Sequence, residues 1–424
     1  MEKIQAVRGT KDLFPLEQSV HRYIIETALH TAKLYNFKEV STPIMEFSQV
    51  FKRTLGDFSD IVNKEMYTFL DRKNKELTLR PEGTAGIVRA ILSEGLLQDL
   101  PIKYFYHGPM FRYERPQKGR QRQFHQLGVE HITVEKSPQA DVEIIAQAQL
   151  FLSNLLGNNK DQWVLEVNSL GNTKDRESYI KELTKYLKKH QNQLSPDSVK
   201  RLETNPLRIL DSKSQDDQQI ISNAPCLTDF LCKESLQYFQ QVKDLLNAFG
   251  IAFKENPQLV RGLDYYSHSI FEFKSHLLGA QSTLLAGGRY DQLMALMGGP
   301  NYSGIGWAAG IERLSLMVQE QQALMQVLKN RVTLALLPVS QQEEFFCLEL
   351  AQELRKNTIS VELIFQGNIS KKIKKAVKIN SVYNILIGPE EIQSQTYIIK
   401  NTSTKKENTI THKDLISFLK KNTN

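Results

Sequence analysis

The sequence predicts an α+β protein: a large domain of interspersed strands and helices, a helical insertion within it, and a small α/β domain towards the C-terminal end. Three observations predict this. Two strand-like arms, YFYHGPMFRY and QFHQLGVEHITVE, flank the charged loop ERPQKGRQRQ as in a long hairpin. From about 170 to 255 the texture turns to polar helical stretches such as RESYIKELTKYLKKHQNQL, with no strand signal that could extend the preceding sheet. From about Arg331 onward, the continuous apolar runs VTLALLPV and VYNILIG alternate with helical patterns such as QQEEFFCLELAQELRK, the look of a sheet covered on both faces. A chain of 424 residues can bury two or three domains, and the divisions fall at 1–325, with the insertion at about 170–255, and at 326–424.

The elements follow in order. Residues 18–36 read as a long helix ending near Asn36, and Pro43 in FKEVSTPI places an edge position or a strand end. In KELTLRPEGTAG, Leu77 and Leu79 alternate as in a strand, Pro81 stops it, and Glu82, Gly83 and Thr84 form a turn into the helical IVRAILSEG. Ser137 and Pro138 open a helix as cap and first residue; Ile144, Ala148, Phe151, Leu152 and Leu155 share its apolar stripe, and Gly157 ends it. Strand signals return with SIFEF and STLLAGGRYD, and SGIGWAAGIERLSLMVQE runs from a glycine-rich strand into a helix.

Composition excludes more than it identifies. The net charge is +7, and residues 325–424 hold 15 Lys or Arg against 9 Asp or Glu, a local surplus that suits a polyanion partner or an ordinary solvated surface. Cys226, Cys232 and Cys347 have neither zinc-site spacing nor the density of a secreted disulfide framework, so reduced thiols are expected. The stretch MEKIQAVRGTKDLFP has no apolar core of a signal peptide, and no run is long enough to cross a bilayer; a cytoplasmic protein without a membrane partner is expected.

Four segments carry polar groups in patterns that suit a small-molecule cleft. The hairpin loop would project Arg115, Lys118, Arg120 and Arg122 from its tip, and a basic tip suits phosphates. On the second arm Gln126, Gly128 and Glu130 share parity, the glycine vacating space between two polar side chains. Surface decoration, with Glu130 paired to a nearby arginine, explains the same pattern equally well. In RPEGT a carboxylate and a hydroxyl stand at a helix start, able to bind an ammonium group or simply to cap. LVRGLDYYSHSIFEF sets Arg261 and Asp264 before two tyrosines, which is also the composition of a turn plus aromatic core. GIGWAAGIERL puts Arg313 in the first turn of a helix, where a fixed guanidinium could meet a polyphosphate end-on.

Together these segments resemble those of class II aminoacyl-tRNA synthetases, specifically the bacterial histidyl-tRNA synthetases, over essentially the whole chain. FKEVSTPIMEFSQVFKR is similar to the family's first motif at a dimer interface, the hairpin to its second, GIGWAAGIERL to its third, and RGLDYY and AGGRYD to its two histidine-specific segments. The resemblance implies a catalytic domain at 1–325 built on a mixed, mainly antiparallel sheet, an anticodon-binding domain at 326–424, a homodimer, and ATP-dependent ligation of L-histidine to histidine tRNA through a histidyl-adenylate.

By the same resemblance, Arg112 would bridge the histidine carboxylate and the ATP α-phosphate, and Arg261 would lie opposite; these two are the expected catalytic residues. Glu82, Gly83, Thr84 and Gln126 would receive the α-ammonium, Glu130 and Tyr266 would bind the imidazole, and Tyr265 and Tyr290 would complete the pocket. Arg313 would bind the γ-phosphate, with Arg122 also on ATP. Arg115, Gln117 and Arg120 would hold the tRNA acceptor end, and KKIKKAVK at 371–378 would face RNA or remain a solvated face. Magnesium would accompany ATP, and no cysteine and histidine cluster suggests a metal held by protein alone. Tyr113 stands where relatives often have histidine, and QSQTYIIKNTSTKKENT is an unusual hairpin for the tail domain. The alternative is a non-catalytic paralogue, a histidine-binding regulatory subunit, which should lack the basic hairpin, some ATP arginines and the tail domain.

Overall fold

Period-two alternation along the long hairpin builds the sheet that carries the site. The computed structural model describes residues 3–56, 61–117, 119–157, 162–329 and 333–423, and the chain divides into two compact units, 1–325 and 326–424. The first unit contains β1 (Lys38–Glu39), β2 (Met45–Phe47), β3 (Tyr67–Leu70), β4 (Glu76–Leu79), β5 (Ile102–Phe111), β6 (Gln123–Thr133), β7 (Val164–Ser169), β8 (Lys254–Glu255), β9 (Ser267–Lys274), β10 (Thr283–Arg289) and β11 (Ser303–Gly310). Eight of them form one sheet in the order β1-β5-β6-β11-β10-β9-β7-β8. Only the edge pairs β1–β5 and β7–β8 are parallel, so the sheet is mixed and mainly antiparallel.

One sheet face is apolar and packed under helices. Trp307 of β11 stacks on Phe151 at 5.6 Å and donates its indole N–H to Gln147 Oε1 at 2.7 Å, both partners lying on the helix Pro138–Leu156. That helix begins as its sequence dictates: the Ser137 hydroxyl accepts the Ala140 N–H, Pro138 takes the first position, and Gly157 ends it with φ of 85°. The opposite sheet face carries the residues of alternate parity, Gln126, Gly128 and Glu130 of β6 and Gly304 and Gly306 of β11, paired as Glu130 with Gly306 and Gln126 with Gly310.

The insertion is helical from Thr173 until β8, with helices Thr173–Lys189, Pro196–Thr204, Gln215–Ile221 and Lys233–Ala248. Its Tyr179, Leu183, Leu187, Leu202 and Ile209 belong to the same buried cluster as Tyr265, Tyr266 and Tyr290. The inserted segment thus shares the core beneath the site and has no separate one. Its last helix packs on Pro138–Leu156, with the Tyr238 hydroxyl donating to Asp141 at 3.1 Å. The alternation of Leu77 and Leu79 predicts one strand of a second sheet, β2-β4-β3, whereas β2 and β3, three and four residues long, carry too short a pattern to read.

The second unit has a five-stranded sheet built from β12 (Leu334–Pro338), β13 (Val361–Leu363), β14 (Tyr383–Ile387), β15 (Thr396–Asn401) and β16 (Glu407–Thr411), in the order β13-β12-β14-β15-β16. Leu334 and Leu336 join the cluster containing Leu350, Leu354, Leu415 and Leu419, whereas Ala335 and Leu337 pack with Ala376 on the other face. Two-faced burial is why these strands read as unbroken apolar runs. The polar segment near the end forms the β15–β16 hairpin. No described helix is long and apolar enough to cross a membrane.

Candidate active site

The floor of the site is assembled from side chains far apart in sequence. Glu130 is 1% exposed, and its Oε1 accepts the Thr84 hydroxyl at 2.6 Å. Its Oε2 accepts the Tyr290 hydroxyl. The glycine-rich strand makes room for this pair: a Cβ at residue 306 would lie 2.0 Å from Glu130 Oε2, and one at residue 304 would lie 2.1 Å from the Tyr290 ring. Burial is the largest influence on Glu130 and pushes its carboxyl from 4.5 up to about 8, so the free pocket holds it mainly as a neutral acid near pH 7.

Glu82 lies at the start of the helix Thr84–Ser93, where its carboxylate accepts the backbone N–H groups of Thr84 at 2.6 Å and Ala85 at 2.9 Å. Burial still raises its carboxyl above the ordinary value, opposed by these hydrogen bonds and by the nearby Arg112 charge. Gly83 donates its N–H to Gln126 Oε1 at 3.2 Å, which draws the RPEGT turn onto β6. Tyr265, Tyr266 and Tyr290 form an aromatic wall, with ring centroids 4.8 Å apart for the first pair and 5.8 Å for Tyr265 with Tyr290. Burial raises all three phenols, that of Tyr266 to about 12, so they act as neutral hydrogen-bonding groups.

Beside this floor the arginines converge. The Arg112 Nε donates to Pro81 O at 2.8 Å, and its guanidinium lies 5.2 Å from the Phe124 ring centroid. Arg261 stands 3.7 Å from Glu272, and its buried Nε has no hydrogen-bond partner among the described residues. Arg313 reaches Thr283 O at 3.3 Å; burial, then the charges of Arg120 and Arg112, hold its guanidinium below the ordinary arginine value. The carboxylates of Glu114 and Glu272 partly offset this accumulation of positive charge.

The hairpin tip departs from the expectation that four basic side chains project. Arg115 and Gln117 are exposed, but Arg120 turns back to Glu114 at 2.7 Å, and Arg122 lies over the Tyr113 ring at 3.8 Å while donating to Glu114 O and Arg8 O. Glu114 is the only carboxylate of that stretch and gathers these groups to itself. Lys118 lies outside the described residues. The tip turn, closed by reciprocal backbone bonds between Gln117 and Arg120, rests against Arg313: a Cβ at Gly119 would lie 3.3 Å from its Cγ.

Three sets of residues were missed by sequence reasoning. Tyr106 of β5, opposite Gly128, is 3% exposed and faces the pocket; the tyrosine-glycine cross-strand pairing was the available signal. Arg289, fully buried, is bound through Nε to Asp141 Oδ1 at 3.0 Å and through Nη1 to Asp291 Oδ1 at 3.0 Å. Asp291 also accepts the Ser267 hydroxyl at 3.3 Å, so the backbones leading to Tyr266 and Tyr290 are tied together. His21, His125 and Glu312 converge as well, but Glu312 already accepts the His125 N–H at 2.9 and 3.0 Å and faces its Nδ1 at 2.9 Å. That tie fastens the strand before Gln126 to the helix carrying Arg313.

Residues 9–314 match the family described as Histidyl-tRNA synthetase, and residues 333–422 match the Anticodon binding domain. The chain is 47% identical over 419 residues to the histidine--tRNA ligase of Rhodospirillum rubrum, covering 99% of both chains, and 45% identical over 420 residues to that of Gluconobacter oxydans, again covering 99% of both. Among solved structures, apo S. aureus histidyl-tRNA synthetase superposes with a TM-score of 0.79 at 34% identity, covering 99% of this chain and 100% of that one. With a buried carboxylate pocket, a cluster of arginines beside it and relatives matching end to end, this chain belongs to the histidyl-tRNA synthetase family.

Proposed function

We propose that the protein ligates L-histidine to histidine tRNA at the expense of ATP, through a histidyl-adenylate. The observation that supports this best is the adjacency of two unlike sites: a buried Glu130 pocket and a cluster of guanidinium groups, Arg112, Arg261 and Arg313. In this reading Glu82, Gly83, Thr84 and Gln126 receive the α-ammonium, and Glu130 with Tyr266 takes the imidazole. Tyr265 and Tyr290 close the pocket. An amino acid without ring N–H groups would leave the buried polar groups that face the ring without the partner that offsets their desolvation, which is the stronger form of discrimination.

The chemistry follows from position. The histidine carboxylate attacks the α-phosphorus in line and pyrophosphate leaves with the P–O electron pair; the terminal ribose hydroxyl of tRNA then attacks the adenylate carbonyl and AMP departs. Neither step needs a nucleophile from the enzyme. Arg112 holds the carboxylate against the α-phosphate, Arg261 neutralises charge from the opposite side, and Arg313 fixes the γ-phosphate, with Arg122 on the ATP side of the loop; the catalysis is positioning plus electrostatic stabilisation. Magnesium would accompany ATP, and Glu272, a hard oxygen donor 3.7 Å from Arg261, would help to hold it and so to neutralise phosphate charge.

Arg115, Gln117 and Arg120 at the hairpin tip would engage the acceptor end. The second unit would take the anticodon, with Lys371, Lys374, Lys375 and Lys378 exposed on one helix and Lys372 turned inward to Pro338 O at 2.7 Å. The active form would be a homodimer through the small sheet. Its inner face is polar, with Glu46 bound to Arg89 and Thr78 bound to Ser48, while its outer face exposes Met45, Phe47 and Phe69. Phe47, Leu77 and Phe69 form one cross-strand row on that outer face, an apolar surface that a second copy would cover. The regulatory-paralogue alternative is disfavoured, since Arg112, Arg261, Arg313 and the anticodon-domain match are all retained. Histidine-dependent exchange of pyrophosphate into ATP, with the other amino acids as controls, tests the first step. Transfer to histidine tRNA with and without its extra 5′ guanosine tests the hairpin; failure of exchange with histidine would overturn the proposal.

A further inference from the structure

The Tyr106 phenol is built into the pocket at the expense of two glycines. A Cβ at Gly83 would lie 2.1 Å from its Cε2, and a Cβ at Gly128 would lie 2.7 Å from its hydroxyl oxygen. No side chain other than glycine fits at either place while the ring stays, so the ring fills a slot between the RPEGT turn and β6. Its hydroxyl lies over Gly128, midway along β6 between Gln126 and Glu130. The ring is 3% exposed and the hydroxyl is buried without a hydrogen-bond partner among the described residues. A buried hydroxyl left unpaired is destabilising, typically by as much as the hydrogen bond it lacks, and a phenylalanine would fill the same slot without that penalty.

The surrounding groups indicate what the oxygen is for. Thr84 donates its hydroxyl proton to Glu130 at 2.6 Å, so its oxygen lone pairs face outward as acceptors. Glu82, Glu130 and Thr84 all influence the Tyr106 phenol, after burial, which raises it well above the ordinary tyrosine value; it is never an anion here. A neutral phenol keeps oxygen lone pairs that it can offer to the cleft. A donor suits such a lone pair, and the proposed substrate carries N–H donors at both ends.

Resting on the histidine reading above, we propose that Tyr106 is a further specificity-determining residue, whose hydroxyl oxygen accepts an N–H of the bound amino acid. It deepens the assignment of the pocket by a residue from the first hairpin arm.

The test is Tyr106→Phe in the full chain, which keeps the ring in its slot and removes one oxygen. Pyrophosphate exchange should show the KM for histidine raised roughly three- to thirtyfold, the range expected for one hydrogen bond, with the KM for ATP unchanged and kcat within about twofold. Removing an unpaired buried hydroxyl should leave the thermal midpoint of the free variant equal to or above that of wild type, whereas saturating histidine should raise it less in the variant. A histidine KM within about 1.5-fold of wild type overturns the inference, as does a variant in which the KM values for ATP and histidine rise together, the mark of a merely structural residue. If wild type itself shows no histidine-dependent exchange, the reading of the pocket falls; if wild type exchanges and Tyr106→Phe matches it, only the role of Tyr106 falls.

Discussion

Glu130→Gln separates the stability of this pocket from its function. The substitution keeps size and shape and removes only the capacity for negative charge. In wild type, burial raises this carboxyl from 4.5 to about 8. A group whose pKa is higher in the folded chain gives the folded state extra proton affinity: its contribution is complete below about pH 4.5 and is lost as pH rises through about 8. At ~1.4 kcal/mol per pH unit, that rise sets a ceiling of about 5 kcal/mol, lost in full only above pH 8. Glutamine has no such loss, but it offers one acceptor oxygen where the Thr84 and Tyr290 hydroxyls found two, a penalty of about 1 kcal/mol. The variant should therefore be slightly less stable than wild type at pH 5 and more stable by about 3 kcal/mol at pH 8.5, read as the difference in urea midpoint at each pH. Pyrophosphate exchange on the same samples should show kcat/KM for histidine down by about three orders of magnitude if, as proposed, Glu130 pairs with a ring N–H. A stability difference that stays flat from pH 5 to 9, or histidine exchange within tenfold of wild type, would refute the reasoning.

Arg261→His should lower the rate of adenylate formation by about two orders of magnitude with a thermal midpoint within about 2 °C of wild type, since among the described residues the guanidinium's one ion pair is the 3.7 Å contact with Glu272; an unchanged exchange rate rejects its role. Asp141→Asn breaks a pair in which both side chains are 0% exposed, and should destabilise the chain by about 3–5 kcal/mol in a denaturant titration; a loss below about 1 kcal/mol would show that Asp291 and Ser137 suffice for Arg289. Phe47→Asp combined with Phe69→Asp places two charges in one cross-strand row, and sedimentation should show a dimer becoming a monomer; an unchanged mass rules out the small sheet as the interface.

Local periodicity and capping determined a good part of this protein before any packing was considered. Ser137, Pro138 and Gly157 specify where one helix begins and ends because those residues act on their own backbone. The shared parity of Gln126, Gly128 and Glu130 put them on one face whatever the neighbouring strand, since side chains alternate along any strand. The unbroken apolar runs of the second unit similarly required a sheet covered on both sides. What only tertiary structure decided was the choice of partner. Thr84 and Glu130 are 46 positions apart and Tyr290 and Glu130 are 160 apart, and nothing local distinguishes a Glu130 paired with an arginine from one held by two hydroxyls. The fold likewise turned Arg120 and Arg122 back onto Glu114 and Tyr113, and made the outer face of the small sheet the apolar one. The physical reason is the same throughout: backbone preferences act over a few residues, whereas desolvation and the pairing of buried charge depend on which distant surfaces the packed chain brings into contact.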